Sequence, residues 1–299
     1  MLPIYFVVTS LCWGGSFLAI RIALEHFPPF LAATLRVFIG ALSLAFYLLC
    51  KFKRLPRPPG WLQMMLSGCL SIGLPWVFLF WGEQYVLPAL AAVMNSTVPI
   101  FTTLFTPLFV PGMKQGWAKW IGIFIGFLGV TTIFVPELSG GFSVYSMGLV
   151  ALLMMSICYA IGIHWTKRVS AEAPGAVILF YQCLGGVILL GVATLLFENP
   201  SVNLLFSDGT ARSWGAILYM GVMSTALAFL LFFHLIRRRG SVEASAVTLC
   251  VPLVSVVLDA LFLNKYLNPY QLFGAVVILV SVALINRRAE RIRSVATRG

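Results

Sequence analysis

The chain has 299 residues, of which 60% are hydrophobic and only 10% are charged, whereas about a quarter of the residues in an average soluble domain are charged. This composition excludes a soluble globular protein and predicts an all-α membrane protein, because apolar segments long enough to cross a hydrocarbon core of ~30 Å recur along the whole chain. The formal net charge of +11 would suggest a nucleic-acid partner for a soluble protein, but the distribution of the charges indicates another cause.

Hydropathy and flanking charges predict ten transmembrane helices. In chain order they cover residues 2–21, 29–50, 60–81, 86–110, 117–135, 146–166, 174–197, 214–236, 241–263 and 269–286. The first segment has no basic region before it and no small-residue cleavage site after it, so we expect it to be retained rather than removed as a signal peptide. The longest connection, residues 198–213, is too short to fold alone.

The positively charged residues are concentrated on one side of this topology. With an internal N-terminus, sixteen Lys and Arg residues fall in the inside segments, and only Arg21, Arg212 and Lys265 fall outside. This asymmetry marks the cytoplasmic side of a membrane protein. We therefore expect a multi-pass protein of the cell inner (plasma) membrane with both termini cytoplasmic. No nucleic-acid partner is expected, and the basic tail is expected to meet the lipid bilayer.

An internal repeat divides the chain into two units. A shift of 153 residues, without a gap, pairs identical residues of 61–109 and 214–262. Among these pairs are Trp61 with Trp214, Gly68 with Gly221, Ser71 with Ser224 and Pro99 with Pro252. Upstream, a shift of 146 residues pairs Pro28 with Pro174 and Gly40 with Gly186. The sequence thus predicts two five-helix repeats, 1–140 (spans 1 to 5) and 141–299 (spans 6 to 10 with a short basic cytoplasmic tail).

Each predicted unit has an odd number of spans, so the second unit must enter the membrane from the opposite side. The result is an inverted-topology pair. Such pairs are typical of alternating-access transporters, which place the substrate site near the midplane between the two units.

Several segments carry a resemblance to a known family. They are the Trp13-Gly14-Gly15-Ser16-Phe17 run, the segment from Pro28-Pro29 to Arg36, and residues 92–99 and 244–252. Over nearly its whole length the chain resembles the EamA-type carriers of the drug/metabolite transporter (DMT) superfamily. The resemblance implies a ten-helix bundle, and a carrier that in many members exports amino acids or related metabolites. An acidic residue often follows spans 4 and 9 in that family. Lys114 and Lys265 stand near those places here, so no coupling role for that acid is carried over.

Two predicted spans carry related polar stripes. In span 4 the stripe comprises Asn95, Pro99, Thr102 and Thr106, and in span 9 it comprises Thr248, Pro252, Ser255 and Asp259. Steps of three and four residues place each set on one helical face, and a proline within a span frees a backbone carbonyl that can line a wet cavity. The stripes are therefore candidate substrate walls. The alternative is that the hydroxyls bond to their own helices and the small residues permit close packing.

Arg36 is a charged residue inside a predicted span, roughly 10 Å along span 2 from its outer end at a helical rise of ~1.5 Å per residue. Such a residue costs ~3 kcal/mol at the bilayer centre on insertion scales and usually faces protein or water. It is a candidate to bind an anionic substrate group such as a carboxylate. Alternatively it extends outward to the interface, or pairs with Glu83 or Asp259.

Four aromatic residues, Trp13, Phe17, Trp76 and Tyr159, lie inside the predicted hydrocarbon region rather than at the headgroup level where Trp and Tyr concentrate. They are candidates to stack on an apolar or cationic part of a substrate, with core packing as the alternative.

Asp259 and His164 are weaker candidates for coupling transport to an ion, since Asp and His can titrate when a site opens. Both are predicted nearer to an interface than to the midplane, which favours ordinary interfacial roles.

These features favour a secondary transporter of a small-molecule substrate. One alternative is a non-transporting scaffold or sensor built on a carrier fold. The other is a membrane-embedded enzyme, but H-E-x-x-H, G-x-S-x-G and a close His pair are all missing from the sequence, so neither a catalytic nor a metal site is predicted. The sequence also lacks a Walker-type G-x-x-x-x-G-K-[ST] and a dinucleotide fingerprint, and we expect no cofactor. A face formed by Gly122, Gly126 and Gly129 predicts helix packing, within the fold or in a homodimer.

Overall fold

The computed structural model describes residues 2–110, 116–140, 143–169, 173–206, 210–239 and 241–296. Within these ranges the chain is helical and contains no strand. The helices are α1 (Leu2–Ala23), α2 (Pro29–Phe52), α3 (Trp61–Glu83), α4 (Pro88–Phe109), α5 (Trp117–Gly140), α6 (Val144–Val169), α7 (Gly175–Glu198), α8 (Ala211–Leu218, Tyr219–Leu227 and Ala228–Arg239 in continuation), α9 (Ser241–Leu258 continued by Asp259–Leu263) and α10 (Pro269–Ala296).

Eight helices in the described part of the chain, α1 to α8, are long and apolar enough to cross a membrane. Two shorter apolar stretches follow, Val247–Leu263 of α9 and Pro269–Ile285 of α10. Every predicted span lies on one of these helices, with α10 running furthest past its predicted end. The all-α, multi-pass membrane architecture is thereby confirmed.

One end of the bundle lies opposite the N-terminus, and we call it the distal end. Here α1, α3, α5, α7 and α9 end, and α2, α4, α6, α8 and α10 begin. Hydrogen bonds join neighbouring helices across it. The Glu198 carboxylate at the end of α7 accepts from the amides of Phe30 and Leu31, 2.6 and 2.8 Å away, and so caps the first turn of α2. Arg212 and Glu25 form an exposed ion pair of 3.5 Å at the rim.

Four helices in the described part of the chain contain a π-helical segment that hydropathy does not predict. In α7 and α9 it forms the end of the helix, Thr194–Glu198 and Asp259–Leu263. In α3 and α8 it lies inside the helix, as Cys69–Gly73 and Tyr219–Leu227. The 153-residue shift carries 69–73 onto 222–226, inside the segment of α8. Single π-helical turns within α-helices are rare and occur frequently at functional sites. The two halves of the chain therefore have the same irregularity at matching positions.

The helices that carry these segments have matching neighbours. α2 packs against the π segment of α8, where a Cβ on Gly40 would lie 2.7 Å from Thr225 Cγ2. α7 packs against α3, where a Cβ on Gly186 would lie 2.8 Å from Ile72 Cγ2. Gly186 is the partner of Gly40 under the 146-residue shift, and Thr225 that of Ile72 under the 153-residue shift. α2 therefore contacts the π segment of α8 in the second half of the chain, and α7, its counterpart, contacts the π segment of α3 in the first half.

α4 is interrupted at Ser96 and Thr97, between Pro88–Asn95 and Val98–Phe109. Pro99 has no N–H with which to continue the helix into this turn. Polar groups stabilise the interruption: the Thr97 hydroxyl donates to the Met94 carbonyl at 2.7 Å, and Ser156 of α6 donates to the same carbonyl at 3.0 Å. The irregular backbone is thus packed in protein, as membrane depth requires.

The glycine face of α5 packs against α10 of the same chain. A Cβ on Gly129 would lie 2.9 Å from the Gly274 carbonyl oxygen, and one on Gly274 would lie 2.6 Å from that of Gly129. The Ser281 hydroxyl donates to the Gly122 carbonyl at 2.6 Å. The predicted small-residue face therefore serves packing within the fold.

Candidate functional site

Arg36 lies in the interior of the bundle, with only 5% of its surface exposed. Its guanidinium carbon sits 4.0 Å from the centroid of the Trp76 ring. The guanidinium also meets three groups of α8: Nε lies 3.4 Å from Thr225 Oγ1, Nη2 3.4 Å from Ser224 Oγ and Nη1 3.8 Å from Met220 Sδ. Because the side chain is buried, it does not extend outward to the interface.

The partners of this guanidinium are neutral and distant. Charge-assisted hydrogen bonds from nitrogen to a carboxylate measure ~2.7–2.9 Å, so contacts of 3.4 Å and a thioether are weak substitutes. Among the described residues the single ion pair within 4 Å is the one between Arg212 and Glu25. The predicted alternative of a direct Arg36 pair with Glu83 or Asp259 is therefore not what the structure shows. Arg36 presents donors that an anion could bind more strongly.

Aromatic side chains contact the arginine and the groups that bind it. Trp76 lies under the guanidinium and donates its indole N–H to the Tyr159 hydroxyl of α6. Trp13 of α1 donates its indole N–H to the Ser224 carbonyl at 3.1 Å and packs on Phe229 at 5.1 Å. These contacts connect residues from α1, α2, α3, α6 and α8. We call the connected group of Trp13, Arg36, Trp76, Tyr159 and Ser224 the arginine cluster.

Two acidic side chains are buried between the arginine cluster and the distal end. Glu83, the last residue of α3, is 0% exposed, and Asp259 of α9 is 1% exposed. Asp259 Oδ2 accepts a hydrogen bond of 2.8 Å from the Ala89 amide at the start of α4. Glu83 interacts electrostatically with Asp259 and with Arg36. The acids and the arginine therefore belong to one charged region inside the protein.

The other residues of the polar stripes and the aromatic set differ in how far the protein buries them. Phe17 and Pro252 are buried, whereas Asn95, Pro99 and Thr248 are half-buried. Asn95 and Pro99 flank the interruption of α4. A role of any of these residues in substrate binding stays a prediction.

Two threonines of the span 4 stripe use their hydroxyls to bond their own helix, which is the alternative to lining a substrate cavity. Thr102 donates to the Val98 carbonyl and Thr106 to the Thr102 carbonyl, each at 2.8 Å. These are bonds to the preceding turn of their own helix.

His164 has the contacts of a packing residue. Its Nε2 lies 3.0 Å from the Thr102 carbonyl oxygen, and its ring stacks on Phe109 with the centroids 4.8 Å apart. Through Thr102 and Phe109 it joins α6 to the second half of α4. The residue is 5% exposed, and a role of His164 in coupling stays a prediction.

The sequence patterns did not identify a buried polar residue in the second half of the chain, at the place equivalent to Arg36. Gln182 of α7 is 7% exposed, and its amide nitrogen lies 2.7 Å from Thr166 Oγ1, 3.2 Å from Ser67 Oγ and 3.4 Å from Ser71 Oγ. The 146-residue shift that pairs the prolines also pairs Gln182 with Arg36. Applying that shift to polar residues, and not only to Gly and Pro, would have found it.

Comparisons with known proteins agree with this architecture. A family model described as the EamA-like transporter family matches residues 2–135 and 146–287. PagO of Salmonella typhimurium is 26% identical over 95% of this chain and 92% of its own. The uncharacterized transporter YvbV of Bacillus subtilis is 28% identical over 95% of this chain and 91% of its own.

A further relative bears a more specific name. The probable terminal-alkyne amino-acid exporter of Streptantibioticus cattleyicolor is 25% identical over 98% of this chain and 96% of its own. A solved crystal structure is similar in fold, with a TM-score of 0.65 at 23% identity over 97% of this chain and 98% of the other. Matches of the family model to both halves, and of relatives to nearly the full length, establish that this protein belongs to the EamA-like transporter family, as its resemblance to EamA-type carriers predicted.

Proposed function

We propose that the protein is a secondary transporter that exports amino acids or related small metabolites by alternating access. In this proposal all ten helices cross the membrane, both termini are cytoplasmic, and the distal end is the external one. Family membership supports transport as the general role. The name of the Streptantibioticus cattleyicolor relative, an amino-acid exporter, supports amino acids as the substrate class, and the positive charge on the inside segments supports the orientation.

One observation carries the proposal: Arg36 is buried at membrane depth without a contacting acid in the described part of the chain. A charged residue in a transmembrane segment is costly and usually marks a substrate or ion pathway. A carboxylate could accept two parallel hydrogen bonds from the guanidinium, replacing the 3.4 Å contacts to Ser224 and Thr225. Trp76 and Tyr159 beside it would cover the rest of a small molecule.

Matched contacts between the halves support the inverted repeat. Arg36 of α2 meets the π segment of α8, and Gln182 of α7 meets that of α3. Each contact crosses from one five-helix unit, residues 1–140 or 141–299, to the other. Inverted units in carriers move against each other around a site at their interface, and the arginine cluster includes residues of both units.

Metabolite profiling of the growth medium tests this function. Host cells expressing the wild type are compared with cells expressing Arg36→Gln and Arg212→Gln at matched membrane levels. We expect the wild type and Arg212→Gln, which changes an exposed arginine, to enrich the same carboxylate-bearing compounds in the medium. Arg36→Gln should not, although its amide can still reach Ser224 as Gln182 reaches Ser71.

Other outcomes would count against the proposal. Equal enrichment by wild type and Arg36→Gln would exclude the arginine as the substrate anchor. Profiles indistinguishable from those of empty cells would contradict export of endogenous metabolites and favour the scaffold or sensor alternative.

A further inference from the structure

Unsatisfied polar atoms in the described part of the chain are confined to one place. The buried side-chain oxygens without a hydrogen-bond partner are both carboxyl oxygens of Glu83, Oδ1 of Asp259 and the hydroxyl of Ser255. Ser255 precedes Asp259 by one helical turn and so lies on the same face of α9. Buried polar groups in proteins are nearly always paired, and exceptions need a physical explanation.

Charge balance gives that explanation. Two ionised carboxylates would outnumber Arg36, the one fully buried cation near them, because Arg21 is only half-buried and Lys265 is exposed. An unpaired buried charge is very unfavourable. One added proton leaves one carboxylate, which balances Arg36. A protonated carboxyl can also donate a hydrogen bond to one of the buried oxygens that have no partner.

Building on the proposed transport function, we propose that Glu83 and Asp259 form a proton-binding pair that must be protonated for the distal end to close, so that transport is coupled to protons. The proton comes from water at the distal end when that end is open and adds to a carboxylate oxygen of the pair. It leaves from the same oxygen when the site next meets water.

The contacts around the pair connect protonation to closure. Asp259 Oδ2 holds the Ala89 amide at the start of α4. Arg21 of α1 donates to the carbonyls of Glu83 and Gln84 at 3.4 and 2.9 Å. The ends of α1, α3 and α9 and the start of α4 therefore meet around the two acids. Separating them would admit water to both carboxyls.

Several other charged and titratable groups lie near the pair, and each has its own partner or acts on the pair electrostatically. Glu83 interacts electrostatically with Asp259, Arg36 and Arg21. Asp259 interacts electrostatically with Lys265 and Arg21. On α6, the Tyr145 and Tyr159 hydroxyls bond to Gln271 and Trp76. The carboxylate of Glu198 on α7 is occupied by the α2 amides. α4 and the apolar stretch Pro269–Ile285 of α10 contribute no charged side chain.

Cysteine labelling from the distal side tests the proposal without knowledge of the substrate. A chain whose six native cysteines are replaced by alanine carries Ala89→Cys, a position 2% exposed, and is treated with a membrane-impermeant maleimide. Because thiols react faster at higher pH, each rate is divided by that of an exposed Asn203→Cys reporter at the same pH. We expect this ratio to rise by roughly tenfold between about pH 5 and about pH 8, as deprotonation opens the distal end.

Substitution of the acids separates the proton from other causes. Glu83→Gln and Asp259→Asn mimic the protonated acids and should keep the ratio low at both pH values. Glu25→Gln, which removes an exposed carboxyl at the same end, should behave as the wild type. A ratio that is independent of pH in the unsubstituted pair, or unchanged pH dependence in both variants, would overturn the proposal. So would a ratio that follows sodium at constant pH, because the site would then hold a metal cation.

A measurement on the wild-type chain covers the case in which the variants do not fold. A hydrophobic carbodiimide modifies protonated carboxyls, and peptide mass spectrometry locates the product. We expect modification of Glu83 or Asp259, decreasing as the pH rises. Protection of both at every pH would contradict the proposal. Both readouts are independent of flux, so failed metabolite export with pH-dependent labelling would refute the proposed substrate class and not the proton site.

Discussion

Arg36 and Gln182 occupy equivalent places in the two halves of the bundle, and each donates a 3.4 Å hydrogen bond to a serine of a π-helical segment in the other half. Their chemistry differs. Gln182 is satisfied by three neutral hydroxyls, whereas Arg36 carries a charge that its neighbours do not balance by contact. The same backbone arrangement thus supports a structural position in one half and a candidate binding position in the other.

Gln182→Leu should destabilise the protein without a specific effect on substrate. The substitution removes hydrogen bonds to Ser67, Ser71 and Thr166, and breaking a buried network of this kind costs about 1–3 kcal/mol. We expect a lower unfolding temperature in detergent, measured by thermal scanning of the purified protein. Gln63→Leu, at an exposed position of α3, is the control. Equal melting of the two variants would show that the Gln182 contacts contribute little.

Trp76 variants should separate ring stacking from hydrogen bonding. Trp76→Phe keeps an aromatic face under the guanidinium but loses the N–H bonded to Tyr159, and Trp76→Leu loses both. Because a desolvated cation–π contact contributes up to ~2 kcal/mol, we expect the leucine variant to weaken export more than the phenylalanine variant. The measurement is the export rate of the compound identified by profiling. Trp117→Leu, 85% exposed on the surface, should have no effect, and equal losses in the two Trp76 variants would contradict a stacking role.

The helices and the repeat could be predicted from the sequence because apolar length and shift-related prolines are properties of the linear chain. The π segments could not, since hydropathy does not report which carbonyl an amide selects. For Arg36 the sequence left three alternatives, and only the packing of α8 and Trp76 shows that the side chain stays inside. Glu83 lies just past the predicted end of span 3, and its complete burial in the structure depends on tertiary packing that hydropathy does not report.

Gly185→Ala should prevent α3 and α7 from packing. A Cβ at Gly185 would overlap the Met65 carbonyl oxygen of α3, and a backbone atom cannot move aside as a side chain can. Overpacking of this kind costs about 1–3 kcal/mol or more, so the yield of monodisperse protein should fall. Gly191→Ala in the same helix meets no atom within 4 Å and should be neutral or stabilising by up to ~1 kcal/mol. Size-exclusion profiles of the two variants distinguish these outcomes.

The proposed orientation can be checked with two single cysteines in the alanine background. Asn203 and Lys53 are both exposed and lie in connections at opposite ends of the bundle. Asn203→Cys should react with an impermeant maleimide on intact cells, whereas Lys53→Cys should react only after the membrane is permeabilised. The reverse pattern would place the distal end in the cytoplasm.

The close approach of Gly129 and Gly274 restricts how the bundle can move. The backbones of α5 and α10 approach closely there, and the side chains of Ile278 and Ile133 pack against the two glycines, so sliding one helix along the other would drive backbone atoms into contact. The Ser281 bond to Gly122 fixes the register of the pair at a second point. We therefore expect α5 and α10 to move as one rigid pair. In the proposed alternating-access cycle, the displacements that expose Arg36 first to one face of the membrane and then to the other would occur in the remaining helices.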